Sequence, residues 1–148
     1  MRSENTVSHS EESVQARAFA AVVVTNNGGA LEVLRNNSSR RHALTVRLVG
    51  VRSPSTPLRA GNRDGIGARV TITAPGRSQM REVKSGSSYL GPNDLRVHFG
   101  LGDAPRAERV DVRWPTGAVE TIRDVAADQI VTLTEGKGIT GQAAYGGR

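Results

Sequence analysis

The 148-residue chain carries 20 basic residues against 14 acidic ones, a formal charge of +6, and no cysteine. One domain with a real core is the natural count at this length, while disulfides and thiolate metal sites are excluded. Aromatic residues make up only 3% and 17 residues are glycine, so Val, Leu, Ile and Ala must build the core and an all-β class is expected.

Residues 1–18 are polar, acidic and Ser-rich, and read as a disordered tail rather than a signal peptide, which needs an apolar stretch there. The apolar run 19–24, the turn 25–29 and the group Leu31, Val33 and Leu34 predict a β-hairpin within residues 19–40. Residues 1–18 show no strand pattern that is expected to pair with it. The hairpin must therefore pack on the following domain, associate with a second molecule, or leave an apolar edge exposed.

The main β domain is expected over residues 44–136. Residues 44–49 alternate cleanly, with Leu44, Val46 and Leu48 inward. Residues 51–61 carry Pro54, Pro57 and several hydroxyl residues, the composition of an exposed loop. The organising stretch is 62–102, NRDGIGARVTITAPGRSQMREVKSGSSYLGPNDLRVHFGLG. Here glycines punctuate alternating strands, with Val70 and Ile72 on one face and Arg69, Thr71 and Thr73 on the other. Strands follow at 67–74 and 79–84, then a loop at 89–94, then an inward face of Leu95, Val97 and Phe99. Residues 109–114 place Val110, Val112 and Trp114 inward, the turn Pro115-Thr116-Gly117 leads to a strand at 119–122, and 130–134 is the last strand. Residues 137–148 read as a Gly-rich flexible tail. The expected fold is an antiparallel β-sandwich or partly open barrel of about seven strands.

Charge is unevenly placed: residues 52–84 hold seven basic side chains against Asp64 and Glu82, whereas 94–135 hold eight acids against five arginines. Nucleic acid is not expected as a partner, because stacking aromatics are missing and an Arg-rich composition alone yields the same charge. No apolar run is long enough to cross a bilayer as a helix, so no membrane partner is expected.

The pattern Gly65-Ile66-Gly67-Ala68-Arg69-Val70 starts like a dinucleotide fingerprint, but Val70 stands where its third glycine belongs and a strand follows instead of a helix. Asn62 and Asp64 supply too few oxygens for a calcium site and suit turn chemistry. Ser87 or Ser88 with His98 and Asp94 make a triad by arithmetic alone, without the nucleophile-elbow pattern. His9, His42 and His98 lack metal-ligand spacing. No catalytic residue, metal or cofactor is expected. The residues best placed to bind a ligand are Asn62, Asp64, Tyr89, Asp94 and His98. The outward arginines Arg96, Arg109 and Arg113 are expected to form cross-strand ion pairs with Asp94 and Asp111.

Three motifs in order, NRDGIGARVTI, GSSYLGPNDLRVHFGLG and VDVRWPTGAVETI, resemble the ASPIC/UnbV domain (cartilage acidic protein-like) over residues 44–135. The stretch VVVTNNGGALEVLRNN just upstream resembles the end of an FG-GAP propeller repeat. The five residues before Phe19 contain no carboxylate, so the calcium loop of such repeats is not expected here. The resemblance implies a non-catalytic, extracellular or periplasmic β module within a longer propeller-containing chain, which contacts a protein or glycan or caps the propeller structurally. The family's link to enediyne gene clusters implies an alternative, an accessory protein that binds or processes a small molecule.

Overall fold

The computed structural model describes residues 22–25, 27–34, 41–51, 62–88 and 91–145. The tail at 1–18, Phe19, the loop at 52–61 and Tyr89 lie outside the described residues. Alternation dictates the architecture. Strands β3 (His42–Val49), β8 (Val97–Gly102), β11 (Gln129–Thr134) and β12 (Gly138–Ala144) form one sheet in the order β12-β11-β3-β8. Strands β4 (Arg69–Ala74), β5 (Arg77–Glu82), β9 (Arg106–Arg113) and β10 (Val119–Ala126) form the other, in the order β10-β9-β4-β5. Neither sheet closes on itself, so the fold is sandwich-like, as expected, with no closed barrel. All neighbours are antiparallel except β3 and β11, which run parallel after the chain has crossed to the other sheet and back.

Two short sheets complete the fold: β1 (Val22–Val24) with β2 (Glu32–Leu34), and β6 (Gly86–Ser88) with β7 (Gly91–Pro92). The hairpin at the N-terminal side thus forms as its composition predicts. Val23 and Val33 are more than half exposed on it. The sandwich has eight strands where about seven are expected, and three expectations are corrected. Residues 137–148 are not all tail: β12 pairs with β11, and glycines at φ +75° and +67° (Gly136 and Gly138) turn the chain back. The strand expected at 119–122 runs on to Ala126, and the loop at 89–94 contains β7.

Every second side chain meets the opposing sheet. Leu44 and Phe99 from one sheet, and Val70 and Val112 from the other, are wholly buried, each burial stabilising by about 1.5–3 kcal/mol. β5 is the exception. Its register places Arg77, Gln79 and Arg81 beside the core-facing Ala74, Ile72 and Val70, so this strand turns polar side chains inward at the sheet margin, a known guard against edge-to-edge aggregation. Arg81 lies 5.9 Å from the Phe99 ring centroid, where a guanidinium is attracted to the aromatic face.

Gly50 is required by proximity: a Cβ there would stand 2.2 Å from the carbonyl oxygen of Asn62. At Gly76 the added atom meets nothing within 4 Å, and only φ +69° opposes it. In urea unfolding, Gly76→Ala is therefore expected to cost about 1 kcal/mol and Gly50→Ala on the order of 3 kcal/mol. Equal losses would contradict the close approach.

Candidate functional site

The turn at 62–65 is built by Asn62. Its Oδ1 accepts from the Ile66 N–H at 2.6 Å, its Nδ2 donates to the Ile66 carbonyl at 2.7 Å, and its own carbonyl accepts from Gly65 at 3.1 Å. With both ends of the amide occupied, Asn62 holds the turn rather than facing a ligand. Asp64, at the exposed corner, borders a shallow groove of about 420 Å³ shared with Arg47, Asn93, Asp94 and Arg96.

Two of the expected ligand-binding residues, Asp64 and Asp94, thus meet in one groove. Asp94 is already engaged there. Its Oδ2 accepts from Arg96 Nη2 at 2.6 Å, and its Oδ1 accepts from the Arg96 Nε and backbone N–H at 3.0 and 2.9 Å. The hydrogen-bonded guanidinium holds the Asp94 carboxyl below its ordinary range and raises Arg96 in return. Arg96 also borders a second groove, of about 560 Å³, along which Met80, Arg81, Glu82 and Lys84 face Val97 and His98.

His98 points outward, as its alternation predicts, but it does not join Asp94 and Ser87. The Ser87 hydroxyl donates to Asn93 Oδ1 at 3.0 Å, and His98 Nδ1 lies 3.0 Å from the Thr45 hydroxyl. Thr45 in turn lies 2.8 Å from the Tyr145 hydroxyl. Thr45 is the one buried polar side chain among the described residues. One proton order satisfies all three groups: Tyr145 donates to Thr45, and Thr45 donates to a neutral His98. Burial raises the Tyr145 hydroxyl pKa, opposed by its bond to Thr45 and reinforced by nearby Asp128.

Beside this chain sits another unforeseen hub. Asp128, at φ 61°, accepts from His42 Nδ1 at 2.8 Å and from the Ala43 N–H at 3.3 Å, while its own N–H donates to the Ala43 carbonyl at 2.6 Å. The side chain and backbone of Asp128 together pin the start of β3 to the β10–β11 turn. Among the described residues, no three His, Asp or Glu side chains are grouped to hold a metal ion.

Thr45, Tyr145 and Asp128 escape sequence reasoning because their partners are 53 to 100 residues away. Thr45 alone leaves a local trace, a polar residue alternating with Leu44 and Val46. The ion pairs also differ from expectation. Arg96 bonds Asp94 and Arg109 bonds Asp111 (2.8 Å), each two residues along the same chain segment rather than across strands, and Arg113 forms none among the described residues. Along β9, two residues is the spacing that returns Arg109 and Asp111 to the same face, whereas Asp94 and Arg96 precede β8 and meet in a turn.

The His98 pKa lies below the ordinary histidine value, first through burial and then through the positive charge of Arg81. The unfolded chain therefore takes up the proton first as the pH falls. Stability is expected to decline from about pH 6.5 down to the folded midpoint and to level off beneath it. An NMR titration should find the His98 midpoint depressed in the wild type and partly restored in Arg81→Gln. An ordinary midpoint in the wild type would contradict the burial of the ring and its proximity to Arg81.

The sequence profile described as ASPIC and UnbV matches residues 58–140. No curated protein matches the chain. The match takes in the Asn62 turn, the groove between β5 and β8 and the whole of the sheet containing β4 and β5, and covers more than half of the sequence: the chain belongs to the ASPIC and UnbV family.

Proposed function

We propose that the chain is a non-catalytic β interaction module that receives an extended segment of a partner protein along the seam between β5 and β8. The observation that carries this reading is the adjacency of two sheet margins. β5 ends one sheet and β8 ends the other, Gln79 Nε2 bridges them by donating to the Gly100 carbonyl at 2.7 Å, and a groove of about 560 Å³ runs between them. An edge strand offers unpaired N–H and C=O groups, and strand addition is a recurrent way to use them.

On the family resemblance, the module works outside the cytoplasm within a longer chain. The exposed apolar face of the β1–β2 hairpin supports reading it as the end of a preceding propeller repeat. Amide exchange at Val23 and Val33 should then slow in a longer chain carrying that repeat; exchange that does not slow would contradict it. The groove between Asp64 and Asp94 favours a second reading, a small-molecule accessory protein, since its volume suits a compact ligand.

The strand-addition reading has a direct test. Counting from the two-residue turn at Pro75-Gly76, antiparallel alternation leaves the Met80 N–H off the β4 ladder and facing the seam. A photo-crosslinking residue at Met80 would capture the partner, with Val119 on the far sheet margin as control. Binding of the purified partner should then fall at least about ten-fold in Met80→Pro and persist in Met80→Thr. A glycan, gripped by side chains rather than by the backbone edge, would bind Met80→Pro undiminished and overturn the reading.

A further inference from the structure

We propose that Arg69 and Arg113 form a binding site for a small oxyanion of the phosphate or sulfate type. The two arginines are register partners on β4 and β9 and stand side by side on the outer face of their sheet. Like charges directly opposite one another destabilise a strand pair, so such a pair calls for compensation.

The same face carries a built-in comparison. Arg109 and Arg123 are also register partners, on β9 and β10, and there the fold supplies a carboxylate: Asp111 Oδ2 accepts from Arg109 Nε at 2.8 Å. Asp111 is then completed by the Thr121 hydroxyl, which donates to its Oδ1 at 2.7 Å. Arg69 and Arg113 have no such partner. Among the described residues neither makes an ion pair or side-chain hydrogen bond, and Glu82, the neighbour of Arg69 on β5, makes no ion pair with it.

The two guanidiniums border a cleft of about 370 Å³ closed at its end by Pro115, Thr116 and Gly117. The cleft is framed by the hairpin turn, whose Gly117 N–H donates to the Trp114 carbonyl at 2.9 Å. The Thr116 hydroxyl donates to Glu135, whose carboxylate stands behind the turn and is not among the residues that line the cleft. Trp114 lines it too, and its indole N–H is the one buried side-chain donor without a hydrogen-bond partner among the described residues. Two planar forks fixed on adjacent strands can each donate two hydrogen bonds to one tetrahedral oxyanion, which a pair of lysines would bind only as point charges. An occupant here removes the repulsion between the arginines and gains charge-assisted bonds, which offset the entropy lost in ordering two exposed side chains. This site lies on the outer face of its sheet and does not depend on strand addition at the β5–β8 seam.

Trp114 is the sole tryptophan and reports on the cleft directly. Inorganic phosphate and sulfate should each be titrated at constant ionic strength, so that general screening is held fixed, reading both Trp114 fluorescence and melting temperature. A saturable fluorescence change with a rise in melting temperature is expected for the wild type. Arg69→Gln and Arg113→Gln should each weaken the anion at least about ten-fold, Arg113→Lys should weaken it less, and Arg123→Gln should match the wild type. No saturable change in the wild type, or one that survives in the Arg69→Gln/Arg113→Gln double variant or is lost equally in Arg123→Gln, would overturn the site.

Discussion

The turn at 62–65 is wedged between the two sheets, and its fit depends on the absence of one side chain. A Cβ on Gly65 would stand 2.7 Å from Leu48 Cβ and 3.6 Å from the six-membered ring of Trp114. Leu48 belongs to β3 in one sheet and Trp114 follows β9 in the other, so this contact ties both layers to the loop that enters β4. Gly65 sits at φ +63°, a conformation that glycine adopts without the steric penalty other residues meet. Asn62 fixes the turn from one side and the Gly50 N–H, donating to the Arg63 carbonyl at 3.0 Å, fixes it from the other. The position of Asp64, the start of β4 and the packing of Trp114 all follow from that wedge.

With the layers fixed, alternation sorts the polar side chains. They are spread over outer faces and sheet margins, and most of the chemistry-bearing ones are held by near neighbours: Asp94 by Arg96, Asp111 by Arg109 and Thr121, Asp128 by His42. Such exposed pairs contribute little stability, commonly below about 1 kcal/mol each, but they fix geometry. Open to other molecules are backbone at the sheet margins, where β5 and β8 lie next to each other, and the arginine pair on the face of β4 and β9. These are features for contacting another molecule, which is why the functional reading rests on surfaces.

Much of the fold was legible in the residues because period-two alternation is a local signal. Leu44, Val46 and Leu48, or Val110, Val112 and Trp114, announce their faces without knowledge of any partner, and all six are buried. β12 was not legible: residues 137–145 hold two glycines and two alanines, both poor strand formers, and only pairing with β11 makes them a strand. The candidate site was read in part. Asp64 and Asp94 do share a groove, whereas Asn62 serves its own turn, and His98 is recruited by Thr45 and Tyr145, which no spacing rule connects. The arginine pair was invisible for the same reason. Arg69 and Arg113 are 44 positions apart, and only the β4–β9 register brings them together.

β5 closes its sheet with one side paired to β4 and the other free. Residue-resolved amide exchange of the isolated protein tests it most directly. The N–H groups of Gln79 and Arg81, facing β4, should exchange slowly, while those of Ser78, Met80 and Glu82 should exchange rapidly. Uniform protection along the strand would mean that the margin is already covered, and would contradict the account.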